Sequence, residues 1–302
     1  MALQTVQFIL DHPLSRRNKP KAFRRFLSWQ IRSRLTNQPV VYSFVDQSRL
    51  LVRRGMTGAT GNVYAGLHEF EDMAFVLHAL RPDDWFVDVG ANIGSYTVLA
   101  AAAVGSNCVA LEPVPAAYAH LLDNMSLNGV SDRVEPLNIG LGDKNTTLHF
   151  SADQDTMNHV VAPSETSENS VEVQVKRLDE VLQGRTPTVI KIDVEGWETN
   201  VVAGAESVLS QVEPLAVLME FGLGERYGFD DQDLYEKMLN LGFEAVSYSP
   251  FDRQILRFSA GEVARSQPET CVRGNILFVN QIDYFRERVA AAPTYRALDI
   301  DI

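Results

Sequence analysis

From Trp85 to Asn280, short apolar runs alternate with helix-length stretches, and this alternation restricts the possible folds more than any other feature of the chain. The runs are "WFVDVG", "NCVALEP", "RVEPLNIGL", "TVIKIDVEG", "PLAVLMEF", "FEAVSYS" and "NILFVN". The first five are separated by segments long enough for crossover helices, among them "IGSYTVLAAAAVG", "AAYAHLLDNMSLNG" and "ETNVVAGAESVLSQV". Strand, crossover helix and strand in repetition predict an α/β fold: a mostly parallel, doubly wound sheet with helices on both faces. The stretch between the third and fourth runs is too long for a simple crossover, which predicts a β insertion at about residues 145–175 with a mobile polar loop at "APSETSEN".

Ahead of the sheet, residues 1–60 read as a basic helical lead-in followed by a β-like stretch, "PVVYSFVDQSRLLVRR". "GMTGATGN" reads as a loop, and "EFEDMAFVLHAL" carries helical apolar spacing at Phe70, Met73, Ala74, Leu77 and Leu80. The expected division is therefore a lead-in, 1–60, and a main domain, 61–302. A chain of 302 residues, 45% of them hydrophobic, can bury a core of that size. No apolar run is long enough to span a bilayer and the first residues lack the pattern of a secretion signal, so a cytoplasmic location is expected. Cys108 and Cys271 are too few for a disulfide framework or a thiolate metal site, and read as free thiols.

Charge is unevenly distributed. Between His12 and Val45 stand eight basic residues (Arg16, Arg17, Lys19, Lys21, Arg24, Arg25, Arg32 and Arg34) and no acidic one. With those eight set aside, the rest of the chain holds 19 basic against 39 acidic residues, which argues against a nucleic-acid partner. Within residues 14–35 the charges interleave with Phe23, Phe26, Leu27, Trp29 and Ile31. Such a segment suits a helix lying on an anionic membrane or acidic partner, and equally one packed on its own acidic domain. Nothing in the sequence fixes an oligomeric state.

In open α/β sheets ligands bind beyond the carboxyl ends of the strands, so the turns there carry the functional argument. In "VDVGANIGSYTVLA", Asp88 ends the first strand, Gly90 permits a tight turn, and Gly94 opens a helix close to the sheet. The Gly-x-x-x-Gly spacing is neither that of a dinucleotide site nor that of a phosphate loop, which disfavours an NAD-dependent oxidoreductase. Glu112 ends the next strand, where an acid accepts hydrogen bonds from ribose hydroxyls. The two acids together indicate a ligand that is part nucleoside and part amino acid, S-adenosylmethionine. Ala91 and Asn92 in the first turn, Pro113 after Glu112, Asn138 in the third run and Asp193 in the fourth complete the expected cofactor set.

"FVDVGANIGSYTVLAA", "LEPVPAAYAHLLDNMSLNG", "LDEVL" and "IKIDVEGWETNVVAGAESVL" resemble the FkbM-type family of S-adenosylmethionine-dependent methyltransferases, over about Gly66 to Asn280. The resemblance implies a Rossmann-like class I methyltransferase fold, a seven-stranded, mostly parallel sheet whose last strand, "NILFVN", is antiparallel. It also implies methyl transfer to a hydroxyl on a sugar, a glycan or glycolipid, or a secondary metabolite. The basic lead-in lies outside it.

One strand of the set is chemically odd. In "TVIKIDVEGWE", Lys191, Asp193 and Glu195 alternate onto one face of a strand that a parallel sheet should bury. In the implied fold Asp193 stands at the sheet's carboxyl edge by the methionine end of the cofactor, with Lys191 deeper as its partner and Glu195 ordering the next loop or touching acceptor. A Lys191–carboxylate pair that only knits strands together is the competing reading. Candidate bases for a hydroxyl acceptor are Asp193, Glu195, His159 and His68, and Glu69 and Glu220 are further polar groups for the cleft. No spacing calls for a metal. The alternatives are an N-methyltransferase, disfavoured on a DNA amine because "DVEGWE" stands where an Asn/Asp-Pro-Pro-aromatic turn is expected, and a non-catalytic module docked on a membrane or partner.

Overall fold

The computed structural model describes residues 2–35, 38–151, 158–161, 170–257 and 274–302. The basic lead-in is helical, as α1 (Ala2–Asp11), α2 (Pro13–Arg16) and α3 (Lys19–Leu35). An antiparallel hairpin follows, β1 (Val40–Ser43) and β2 (Arg49–Val52). Next comes α4 (Thr57–Ala65), where the glycines of "GMTGATGN" suggest a loop. Packing overrides local propensity there: a Cβ on Gly61 would lie 2.5 Å from the His68 ring, so the glycine seats an imidazole against the helix rather than breaking it. α5 (Phe70–Ala79) falls where the apolar spacing places it.

The sheet then builds through β3 (Trp85–Val89), α6 (Ser95–Val98) widening into a π-turn at Leu99–Val104, β4 (Asn107–Leu111), α7 (Pro115–Asn128) and β5 (Val134–Leu137). β6 (Gly140–Leu141), β7 (Thr146–Ser151) and β8 (Ser170–Lys176) make a separate three-stranded sheet, the expected insertion. Its "APSETSEN" loop lies outside the described residues, as does Cys271, whereas Cys108 is a buried free thiol. After α8 (Leu178–Leu182) and β9 (Val189–Ile192), the expected long crossover helix is split into α9 (Glu198–Ala203) and α10 (Glu206–Leu209). The break falls at Gly204, where a Cβ would stand 2.0 Å from the Gly142 carbonyl oxygen. β10 (Ala216–Phe221), α11 (Asp231–Asn240), β11 (Glu244–Ser249), β12 (Gln254–Arg257), β13 (Gly274–Val279), α12 (Ile282–Ala290) and the short β14 (Arg296–Ala297) and β15 (Ile300–Asp301) finish the fold.

The large sheet runs β12-β11-β13-β10-β9-β3-β4-β5. All seven expected strands are present, and β13 lies antiparallel to both neighbours. The eighth strand, β12, adds to the edge as a hairpin on β11. Winding reverses between β3 and β9, the place where an open parallel sheet leaves a crevice. Alternation along the strands divides the core. Val87, Val89, Ile190, Ile192, Val217 and Met219 pack on one side against the helices α8 to α11. Phe86, Ala110, Val189 and Leu218 pack on the other, in one continuous cluster with Leu77, Leu99 and Leu121 and with Ile9, Leu14, Ala22 and Trp29 of the lead-in. The first helices therefore share the core of the main domain, on the side of the sheet toward which Asp88 and Lys191 alternate.

Candidate active site

The turn after β3 is set by backbone geometry. Gly90 has φ +76°, and a Cβ there would stand 1.9 Å from the Asp193 carbonyl oxygen, so both the turn and the approach of the next strand require glycine. Its amide and that of Ala91 donate to the Leu111 carbonyl at 3.0 and 2.9 Å, tying the turn to β4. At the start of α6, Gly94 has φ +85° and would meet Leu121 at 2.5 Å with any Cβ. Asn92, at φ +51°, donates its amide to Glu112 Oε2 at 2.8 Å, and the Val114 amide donates to Oε1 at 2.8 Å. Glu112 thus holds the turn from both oxygens. A carboxylate has about four acceptor positions, so hydroxyls on the cavity side can still reach it. Burial pushes its pKa up to about 7, against the pull of those two amides. Asn138 lies behind this turn, donating to the Glu112 and Pro113 carbonyls at 2.8 and 2.9 Å.

Beneath the turn a cavity of about 250 Å³ opens over β3, β9 and β10. Gly90, Ala91, Asn92, Glu112 and Pro113 line one end and Lys191, Asp193, Glu195 and Glu220 the other. Asp88, Gly94, Asn138 and His159 are not among the residues that line it. Asp88 sits one strand position too deep: it is buried opposite Lys191 in the register, accepts from Thr97 Oγ1 at 2.6 Å, and leaves Oδ1 without a hydrogen bond. Burial raises its pKa, and the neighbouring ammonium opposes that rise. His159 is buried within the insertion, its amide on Ser151 Oγ at 3.0 Å, while the adjacent Asn158 faces the cavity.

Lys191 is the counter-charge of the site. Its side chain is 6% exposed, and Nζ lies 2.8 Å from Asp193 Oδ2 and 5.0 Å from the Tyr96 ring centroid. Burial works against its charge, yet Asp193, Asp88 and Glu69 outweigh burial and hold its pKa above the ordinary range. The alternation expected for Lys191, Asp193 and Glu195 holds only in part. β9 ends at Ile192 and Glu195 sits in a left-handed turn, φ +56°, that nevertheless brings it to the cavity. Glu198, buried below, accepts from the Val194 and Gly196 amides at 3.0 and 3.3 Å and fixes that turn.

Asp193, Glu195 and Glu220 each place an oxygen within 4.8 Å of the others. Glu220 Oε2 is buried without a hydrogen-bond partner. Burial first, then Asp193 and Glu195, push the Glu220 pKa up to about 9, and burial with Asp193 brings Glu195 to about 7. Near neutral pH Glu220 is therefore a proton donor and Glu195 is poised to exchange one. Three hard oxygens at this spacing also suit a divalent cation.

Sequence reasoning overlooked the network behind these acids. Tyr96 donates to Glu69 Oε2 at 2.8 Å, and Asn275 donates to Glu69 Oε1 and Asp72 Oδ2 at 3.1 and 2.8 Å. Tyr96 lies inside the quoted glycine motif, so its position two residues past Gly94 was a usable signal. Asn275 and Asp72 meet only through folding. His68, with a pKa lowered by burial, lines this cavity and also a second one of about 670 Å³ bounded by α1, α3 and α4.

The strand order, the glycine turn at the switch point and the acid ending β4 define a Rossmann-like, nucleoside-binding methyltransferase fold. The FkbM methyltransferase domain model matches residues 88–245, just over half of the chain, and the protein belongs to that family. Family membership makes S-adenosylmethionine the cofactor, and the site suits it: an acid at the β4 end for the ribose, and a turn whose backbone leaves no room for a side chain at Gly90. Methyltransferase 1 of Beauveria bassiana is 33% identical over 162 residues, 45% of this chain and 64% of that protein. Hexuronic acid methyltransferase AglP of Haloferax volcanii is 28% identical over 162 residues, 51% of this chain and 64% of that protein. The chain thus spans less than two thirds of the length of these curated relatives. Among solved structures, Pyrococcus horikoshii TYW2 in complex with MeSAdo aligns at TM-score 0.44 and 13% identity, over 81% of this chain and 71% of that one.

Proposed function

We propose that the protein is an S-adenosylmethionine-dependent O-methyltransferase whose acceptor is a hydroxyl on a sugar or sugar-like metabolite. One observation supports the reading: Asp193, paired with buried Lys191 beside the glycine turn, lines the same cavity as Glu195 and Glu220, so proton-accepting and proton-donating groups share one cavity with that turn. The 28% identical hexuronic acid methyltransferase supports the sugar class.

S-adenosylmethionine supplies a methyl group already activated on a sulfonium sulfur, and the C–S electron pair returns to sulfur on transfer. The work left to the chain is alignment and proton handling. Lys191 holds Asp193 at the carboxyl edge of β9, where it orients the acceptor hydroxyl. Glu195, with a pKa of about 7, takes the hydroxyl proton as the new O–C bond forms. Glu220, protonated up to about pH 9, donates a hydrogen bond to a second acceptor oxygen. Glu112 and the Asn92 turn hold the nucleoside end.

The reading is tested by transfer of a labelled methyl group to a panel of sugars, sugar acids, glycolipids and hydroxylated metabolites, with the methylated atom located by NMR. Label on a hydroxyl oxygen is the expected outcome. Label on nitrogen would move the protein to N-methylation. Nucleoside binding with no transfer to any hydroxyl would remove the catalytic assignment.

A further inference from the structure

The inner and outer faces of α3 differ in a way the sequence leaves mixed. Ala22, Trp29 and Ser33 are buried, and Phe26 packs edge-on against Tyr64 with ring centroids 5.2 Å apart. Arg25 donates through Nη2 to the Tyr64 carbonyl at 3.0 Å and secures the helix to α4. The opposite face carries Phe23, Leu27, Ile31 and Leu35, spaced four residues apart and exposed by 47, 44, 60 and 81%. They are four of the ten exposed large apolar side chains among the described residues, and the other six are scattered along the chain, so among the described residues this is the one ordered stripe. It runs about 18 Å along the helix, at 1.5 Å per residue.

Basic residues flank the stripe. Lys19, Lys21, Arg24, Arg32 and Arg34 all point to solvent. Among the described residues Arg24 and Arg32 make no ion pair, and the nearby acids stand at the margins, Asp11 by Arg16 at 3.5 Å and Asp299 by Lys21 at 3.6 Å. On a chain whose remainder is strongly acidic, this concentration of unpaired positive charge around apolar side chains is complementary to an anionic bilayer: the side chains enter the acyl boundary while the arginines meet head groups.

We propose that the outer face of α3 docks the protein on anionic lipid membranes, with Phe23, Leu27, Ile31 and Leu35 inserted and Arg24 and Arg32 on the lipid phosphates. The inner face of the same helix, through Phe26, Trp29 and Arg34, lines the second cavity that shares His68 with the active site, so docking sets that cavity beside the bilayer surface. The docking claim does not depend on the proposed reaction.

The test is sedimentation of the full chain with phosphatidylcholine vesicles, with or without about one third phosphatidylglycerol, compared with L27S/I31S and R24Q/R32Q variants. The substituted side chains are exposed, and an unchanged melting temperature checks that each variant folds. Partitioning onto the anionic vesicles should exceed that onto neutral ones by at least about tenfold. Each variant should lose most of it, and the charge-dependent part should vanish in 0.5 M salt. Equal partitioning onto both vesicle types, or variants that bind like the parent, would overturn the proposal. So would a concentration-dependent dimer of the parent in solution that L27S/I31S abolishes, because the stripe would then be covered by a second copy of the chain.

Discussion

The two ends of the active-site cavity are built on opposite principles. At the glycine turn the polar atoms are matched one to one: the Gly90 and Ala91 amides meet Leu111, the Asn92 and Val114 amides meet Glu112, and Asn138 closes the loop. At the ends of β9 and β10 three carboxyl groups crowd together, one oxygen of Glu220 has no partner, and Lys191 answers Asp193 and Asp88 at once. The first end is a set of separate bonds, each worth about 1 kcal/mol, so losing one leaves the others in place. The second is a set of coupled charges, so losing one strands the rest. Substitutions should therefore cost much more at the carboxylate end than at the glycine turn, and the following experiments probe that difference.

The largest effect is expected from Lys191→Met. It leaves Asp88 and Asp193 without their counter-charge in a buried place, a loss of about 3–5 kcal/mol in unfolding free energy. Chemical denaturation reads it directly. A loss below about 1 kcal/mol would show that the ammonium is not the hub of the cluster.

Next is Asp193→Asn, which keeps the shape and removes the partner of Lys191. If Asp193 orients the acceptor, kcat/KM should fall by about 10²–10⁴-fold while cofactor affinity, measured by calorimetry, stays within about threefold. If the pair only joins strands, the melting temperature drops and turnover of the folded fraction stays near that of the parent. The two readings give opposite patterns in the same pair of measurements.

A pH series examines the crowding itself. In the folded protein Asp72, Glu112, Glu195 and Glu198 have pKa values raised to about 7 and Glu220 to about 9, chiefly by burial. In the unfolded chain such groups titrate near pH 4. Between those values the folded state binds more protons than the unfolded one, so stability is greatest at low pH in this window and declines as pH rises through 7 and on toward 9. Each such proton contributes at most about 1.4 kcal/mol per pH unit. Melting temperature should fall from pH 5.5 to 8.5, and Glu220→Gln should flatten the upper part of the slope. A flat profile, or one that Glu220→Gln leaves unchanged, would mean the acids are already neutralised, by a bound cation for example, and a chelator would then restore the slope.

The same contrast governs how much was legible in the sequence. The glycine turn is a local device: Gly90, Gly94 and Glu112 are readable because a positive φ, a close backbone approach and a strand end each demand a particular residue at a particular spacing. The sheet order follows equally from the strand and crossover pattern. Asp88 was misjudged by one strand position, since spacing shows which residue ends a strand but not how deep it sits below the cavity. The carboxylate end is assembled from β9, β10, α5 and β13: Glu220 is readable as an acid ending the fifth strand, whereas Asp72 and Asn275 meet beside Glu69 only after folding and no short motif holds them together. Gly61 misled in the other direction, where a glycine that admits the His68 ring looks like one that ends a helix.

The smallest effect belongs to the glycine turn, in Asn138→Ala. The side chain does not reach the cavity, and it acts only by donating to the Glu112 and Pro113 carbonyls, which hold the Glu112 carboxylate in place under the turn. Removing it takes a donor from two carbonyls and keeps both amide bonds to Glu112. About 1 kcal/mol of stability should be lost, and cofactor affinity should weaken by about three- to tenfold with kcat little changed, because the groups around Asp193 are untouched. Replacing Asn138 with Asp sets a carboxylate oxygen against both carbonyl oxygens and should cost more than alanine. A hundredfold loss of affinity would instead make the turn as tightly coupled as the carboxylate end, and the contrast between the two ends of the cavity would disappear.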